Sequence, residues 1–378
     1  MIRIALTMLR TDRAKCTAMI LAVTFSVFLM QNQCAILASL YRMMTAQIDD
    51  VTDAPLWVME PDTRCFEQAK PVKDGTLERV RSRSGVAWAV PLLKIDTMAR
   101  SDSGLLCTVT VMGVDEASMV GLPSRFRFGQ PEAIRPAGTC AVDPGGYAQL
   151  FPGEPVHFPR RIRILDESLV LTGMTEASAP FTGFPILHCS RVTALRLNKA
   201  ENRTATFIIG DFTPGANRAA VCESITAATG LAAMDRAGFG EMALRFYNSQ
   251  GVPRLFWITI AIGLLTGTAI TAQTFSMFVR EHTTQLAVCR VIGVTKARII
   301  AMVLCQGLFV LSIGCAFGTG LTAITTHAAA SEPFLRGIVL PPQVAAGTCA
   351  ALAAITITAV TIMARRVALM DPAIVFRS

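Results

Sequence analysis

Apolar and polar positions follow two different periods along these 378 residues. Four uncharged runs, 16–41, 255–279, 299–331 and 337–364, are long enough to cross a hydrocarbon core, which takes about 20 apolar residues. The third overruns a bilayer, so its helix is placed at 299–326 and the fourth at 343–364, with a short loop at 327–342. Between the first two runs, in 42–254, the period drops towards two. PLWVME (55–60), GVAWAVPLLKI (85–95), LLCTVTVMGVD (105–115) and TATFIIGDF (204–212) are alternating or β-branched runs that predict strands. Residues 76–84, 217–229 and 235–250 predict helices, the second entered through the turn Thr213-Pro214-Gly215. The Pro- and Gly-rich middle, about 121–190, holds RIRIL (161–165) and SLVLTGM (168–174) and predicts an inserted β-rich subdomain. The pattern predicts an α-helical membrane protein with four spans, one before and three after a large α/β domain.

Composition agrees: 52% of residues are hydrophobic, 16% are charged, and mean hydropathy is +0.47, more apolar than soluble domains. The formal charge of +8 is unevenly spread. Acidic and basic side chains balance in 42–254, and the surplus sits in 1–15, 280–298 and 365–378. Short basic segments stay in the cytoplasm, which puts both termini and 280–298 inside and 42–254 and 327–342 outside. The basic surplus is thus a topology signal, and no nucleic-acid face is indicated. The first apolar run is too long for a cleaved signal peptide and predicts a retained anchor. Gln31, Asn32 and Gln33 interrupt it, marking either a protein-facing side or the outer boundary.

Six of the eleven cysteines, Cys16, Cys34, Cys289, Cys305, Cys315 and Cys349, lie in spans or in cytoplasmic segments. The outside set, Cys65, Cys107, Cys140, Cys189 and Cys222, is odd in number and has no zinc spacing, so one or two bridges stay open and no framework is indicated. The histidines, His157, His188, His282 and His327, are scattered. The sequence has no P-loop, no H-E-x-x-H and no G-x-S-x-G. It predicts no catalytic residue, metal site or cofactor. No ionisable residue lies within a span, which argues against a self-powered ion-coupled transporter.

Residues 280–303 break the apolar pattern between the second and third spans. Arg280, Glu281, Arg290, Lys296 and Arg298 fall among Leu286, Val288, Ile292 and Val294 at helical spacing, which predicts a short amphipathic piece outside the bilayer. Its apolar side fits a protein groove, its charges would fix register, and Gly293 would end it in a left-handed conformation. Gly263 and Gly267, and Gly314 and Gly318, have the G-x-x-x-G spacing that lets helices approach.

Residues 285–294, QLAVCRVIGV, resemble the segment of FtsX-like permeases that runs roughly E-I-A-V-L-R-A-L-G-A, with Ala287, Val288, Arg290 and Gly293 matching and Gln285 in place of the acidic residue. The C-terminus, Arg365 and Arg366 followed by Asp371-Pro372-Ala373 and Arg377, is similar to the family's basic end and D-P-A-x-x-L-R. Gly85, Val86 and Pro91, and Pro214 to Ala216, resemble steps of the outside domain in MacB-type members, the DevC-like branch among them. The resemblance implies the non-catalytic permease subunit of an ABC exporter in a bacterial inner membrane. A homodimer would pair with a separate ABC ATPase that holds 280–298 as a coupling helix, through Glu281, Gln285, Leu286, Val288, Arg290, Ile292, Gly293, Lys296 and Arg298. An outside domain would then push substrate onward, with a membrane-fusion adaptor protein as a further partner beside membrane lipid. The family also implies alternatives: a regulator of an external cell-wall hydrolase, or a lipoprotein-releasing permease. An enzyme using an outside Cys or His assembles no nucleophile, base and orienter from the sequence.

Overall fold

The computed structural model describes residues 13–198, 205–281, 288, 292–330, 332 and 335–369. Helix α1 (Arg13–Asp49) comes first. Then follow β1 (Leu56–Met59), α2 (Thr76–Arg81), β2 (Val86–Ser101), β3 (Leu106–Val114), β4 (Phe126–Phe128), β5 (Thr139–Val142) and α3 (Pro144–Leu150). The chain continues through β6 (Arg160–Ile164), β7 (Glu167–Thr175), β8 (Ile186–Ser190), α4 (Arg191–Leu197), β9 (Phe207–Phe212), α5 (Arg218–Thr229), β10 (Ala232–Asp235) and α6 (Arg236–Ser249). It ends in α7 (Val252–Glu281), α8 (Lys296–Ala330) and α9 (Pro342–Leu369). Two compact units result: a helical one of Met1–Ser39, Pro253–Ala330 and Ile338–Ser378, and an α/β domain of Leu40–Val252 with Ser331–Gly337.

Four helices in the described residues are long and apolar enough to cross a membrane, over Arg13–Asp49, Val252–Thr274, Lys296–Ala330 and Pro342–Ile362. The core of the helical unit comes from Met19, Val23, Val27 and Met30 of α1, Val303, Val310 and Leu311 of α8, and Leu352 and Val360 of α9. α1 begins before and ends well beyond the apolar run read from sequence. Beyond Tyr41 it still carries Met43, Met44, Ala46 and Ile48, all buried, so an apolar stripe continues the helix into the α/β domain.

In the α/β domain, β10, β1, β9 and the first half of β2 form an antiparallel sheet. On one face Val80, Val221 and Ile225 pack against Leu56, Val58 and Ile208. On the other, Trp57 meets Phe207 and Phe239 with ring centroids 5.3 Å apart in both pairs. The helices start where capping chemistry places them: the Asn217 side chain accepts from Ala220 N, and the Asp235 side chain from Gly238 N. Gly230 closes α5 at φ 73°, where an L side chain would be strained.

β2 belongs to two structures. Residues 86–92 pair with β9, 93–100 with β3, and 99–101 with β6. From there the order runs β3, β8, β5, β7, β6 and back to β2, so six strands close on themselves. Val109, Val111, Ile162, Ile164, Leu169, Leu171 and Leu187 fill this small barrel. The β-rich subdomain therefore does not start near residue 121. It takes in the second half of β2 and all of β3, because β2 runs unbroken from Val86 to Ser101 and leaves no boundary at residue 95.

Candidate functional site

The described part of the segment between α7 and α8 is Val288 and residues 292–295. Ile292 N donates to Val288 O at 3.1 Å, one helical turn, and Gly293 follows at φ 98°. Thr295 O then accepts from Arg298 N at 3.0 Å and Ile299 N at 3.2 Å, which starts α8. Val288 is 41% and Ile292 77% exposed, and Lys296 and Arg298 are exposed beside them. Two branched apolar side chains thus stand in the open at a helix end rimmed by positive charge, suited to burial against a partner. Gln285, Leu286 and Arg290 lie outside the described residues, as do Asp371, Pro372 and Arg377; for Glu281 and Arg366 the helix is described but the side chain is not. Arg365 is exposed on α9.

The glycines of the spans divide. A Cβ at Gly314 would stand 2.5 Å from Val23 Cγ1, and one at Gly318 2.6 Å from Val27 Cβ, so α8 lies against α1 at both positions. Gly267 faces Ser26, whose Oγ donates to Gly267 O at 3.5 Å. Among the described residues nothing stands within 4 Å of a Cβ at Gly263. It lies one turn nearer the start of α7, which leaves Ser26 behind. Gln31 is buried between α1, α8 and α9, with Nε2 donating to Thr319 Oγ1 at 3.0 Å and Ala345 O at 3.3 Å. Its carbonyl oxygen has no partner among the described residues.

Within the α/β domain a feature appears that the sequence reading missed. Asp143 caps α3 and is fully buried, and its carboxylate pairs with Arg336 of the short segment between α8 and α9. Ile186 N and Gly146 N also donate to it, at 2.6 and 3.0 Å. Burial holds this carboxyl above its usual range, while Arg336 and the two N–H groups pull it back. Arg336 Nη2 reaches Phe184 O at 3.3 Å, and Arg42 Nη2 donates to Gly337 O at 3.0 Å. The segment is therefore bound to the domain at Arg336 and Gly337. The legible signal was the pair Asp143-Pro144, an N-cap followed by Pro at N1; its partner 193 positions away had no local mark.

A cleft is lined by Gln47, Glu67, Lys94, Asp96 and Thr110 together with Phe66, Phe184 and Ile186. Its charges are already answered. Lys94 Nζ donates to Asp96 Oδ2 at 2.5 Å and Glu67 O at 3.1 Å, and Tyr247 Oη donates to Glu67 Oε2 at 2.5 Å. Among the described residues no group of three or more His, Cys, Asp or Glu is placed to hold a metal.

Residues 257–372 match the family model described as FtsX-like permease C-terminal. The chain carries an FtsX-like permease domain. It takes in most of α7, all of α8 and α9 and the segment between α7 and α8, so the family expected from residues 285–294 is the one found. A comparison with curated proteins found no match. Among solved structures, the periplasmic region of MacB from Actinobacillus actinomycetemcomitans is similar at 11% identity and TM-score 0.38, covering 50% of this chain and 92% of that one. The extracellular domain of the noncanonic ABC-type transporter YknZ from Gram-positive bacteria gives 12% identity and TM-score 0.34, covering 48% and 98%. Likenesses this slight carry no weight for function.

Proposed function

We propose that this permease is the membrane-spanning subunit of an ATP-driven exporter of the mechanotransmission type. Two copies pair with a separate cytoplasmic ABC ATPase, and the α/β domain on the far side of a bacterial inner membrane drives substrate onward together with an adaptor protein. The permease chain hydrolyses no ATP itself. The observation that carries this reading is the turn at Val288 to Gly293. It lies inside the FtsX-like domain, ends at a left-handed glycine and leaves two apolar side chains exposed beside the basic Lys296 and Arg298. A motor protein pressing on this turn would bury the apolar pair and align on the charges.

Pull-down of the cognate ABC ATPase by the tagged permease tests it. Ile292→Asp with Gly293→Pro puts a charge in the contact and forbids the positive φ without touching a buried side chain. The expected result is a loss of about tenfold or more in bound ATPase, the loss of roughly 1.4 kcal/mol or more of contact energy. Undiminished binding overturns the reading.

A further inference from the structure

β5 and β8 run antiparallel in the barrel and set Cys140 directly opposite Cys189. The ladder decides what kind of pair this is. Asp143 N donates to Ile186 O at 3.1 Å, so hydrogen bonds fall on 143 with 186 and on 141 with 188, and 140 with 189 is a non-hydrogen-bonded pair. At such a pair the side chains approach most closely, with Cβ atoms roughly 4.5–5.5 Å apart, and the Cα spacing falls in the range a disulfide spans. Both side chains point into the barrel, and both are fully buried free thiols in this structure.

No other cysteine of the domain competes. Cys107 donates its thiol to Gln149 O at 3.6 Å, Cys65 belongs to the core around Trp57, and Cys222 lies on α5 against the core around Leu56 and Ile208. The odd count of five thus resolves into one opposed couple and three cysteines in separate surroundings.

We propose that Cys140 and Cys189 are joined by a disulfide in the mature protein. This rests on the placement of the α/β domain outside the cytoplasm, where thiols meet protein disulfide oxidants. The thiolate of one cysteine attacks the disulfide of a dithiol–disulfide oxidoreductase, whose S–S bond breaks as a mixed disulfide forms. The second thiolate displaces that enzyme, forming the Cys140–Cys189 bond; two protons and two electrons leave the pair, and the oxidant departs as a dithiol. The exchange belongs to folding, before the barrel closes, since afterwards both sulfurs are out of reach. In the finished fold burial pushes the Cys140 thiol up to about 12, which keeps an unjoined pair unreactive. The bond would fasten β8, which pairs parallel to β3, to β5, which pairs parallel to β7.

The test uses the full chain purified from membranes after acid quenching and alkylation of free thiols. Non-reduced digestion should give a linked Cys140 and Cys189 peptide, two hydrogens lighter than its parts and lost on reduction, with Cys65, Cys107 and Cys222 alkylated. In parallel, Ser103→Cys in the exposed β2–β3 turn is probed in intact cells with a membrane-impermeant maleimide. Position 103 labelled from outside while Cys140 and Cys189 are both alkylated overturns the disulfide and leaves the placement standing. Position 103 labelled only after permeabilisation overturns the placement and the disulfide with it. Reductant should lower the unfolding midpoint of the natural chain by several degrees and leave the Cys140→Ala, Cys189→Ala double variant unmoved; equal shifts in both also overturn the bond.

Discussion

In the helical unit α8 approaches α1 because Gly314 and Gly318 put nothing but hydrogen between the backbone and Val23 and Val27. In the α/β domain elements converge instead on large rings and on charge, Trp57 against Phe207 and Phe239, and Asp143 against Arg336. The difference follows from the surroundings each unit is built for. A helix set in hydrocarbon gains little from burying more hydrocarbon, so close backbone approach is what favours association there. A domain folding in water gains from every ring it hides, and it then has to satisfy each polar group it traps. The same contrast shows in the exceptions: the helical unit buries the uncharged amides of Gln31 and Gln306, the α/β domain a full ion pair.

The largest way to break this comparison is Arg336→Ala, which strands the buried Asp143 carboxylate and should destabilise the α/β domain by about 3–5 kcal/mol. Thermal unfolding of the purified chain would show it. The deficit should shrink as pH falls, because a carboxyl already held high by burial takes up a proton once its cation is gone. Next in size, Gly318→Leu should overpack the seam with α1 at about 1–3 kcal/mol, measured the same way. Gly263→Leu, with open space around it, should be silent. Equal losses at the two glycines would mean that close approach is not what holds the helices.

A third measurement sharpens the contrast within the α/β domain. His188 is buried beside Thr175 Oγ1, and desolvation lowers its pKa from 6.5 to about 3. Below about pH 6.5 the unfolded chain takes a proton that the folded one refuses, so stability falls as pH falls, by roughly 1.4 kcal/mol per unit. Unfolding midpoints from pH 7 to 5 should show that slope, and His188→Gln should lose it. The smallest effect is Gly293→Ala, whose positive φ should oppose the new side chain by about 1 kcal/mol. Its readout is weaker recovery of bound ATPase rather than a change in unfolding.

How far these features were legible depends on whether their cause is local. The apolar runs, the apolar strands at 55–60 and 105–115 and the helix starts at Asn217 and Asp235 are written over a few adjacent residues, and elements form there, with α1 running on to Asp49. Strands β5 and β8 were missed because TCAV and ILHCS are short pieces inside a Pro- and Gly-rich stretch, each carrying a polar residue. The barrel closure was missed because it depends on pairings between β2, β6 and β7, far apart in sequence. In the candidate site, Gly293 carried its own signal, whereas Arg336 lies in the short 327–342 loop with no local mark. Nothing near it names Asp143 as its counter-ion.

That remoteness has a consequence for biosynthesis. Asp143 leaves the ribosome 193 residues before the guanidinium that answers it. Until α8 has been made and the turn after it delivered, the α/β domain holds an orphaned anion at the start of α3. A chain truncated before residue 336 would keep every strand of the domain and lose the cation that answers Asp143.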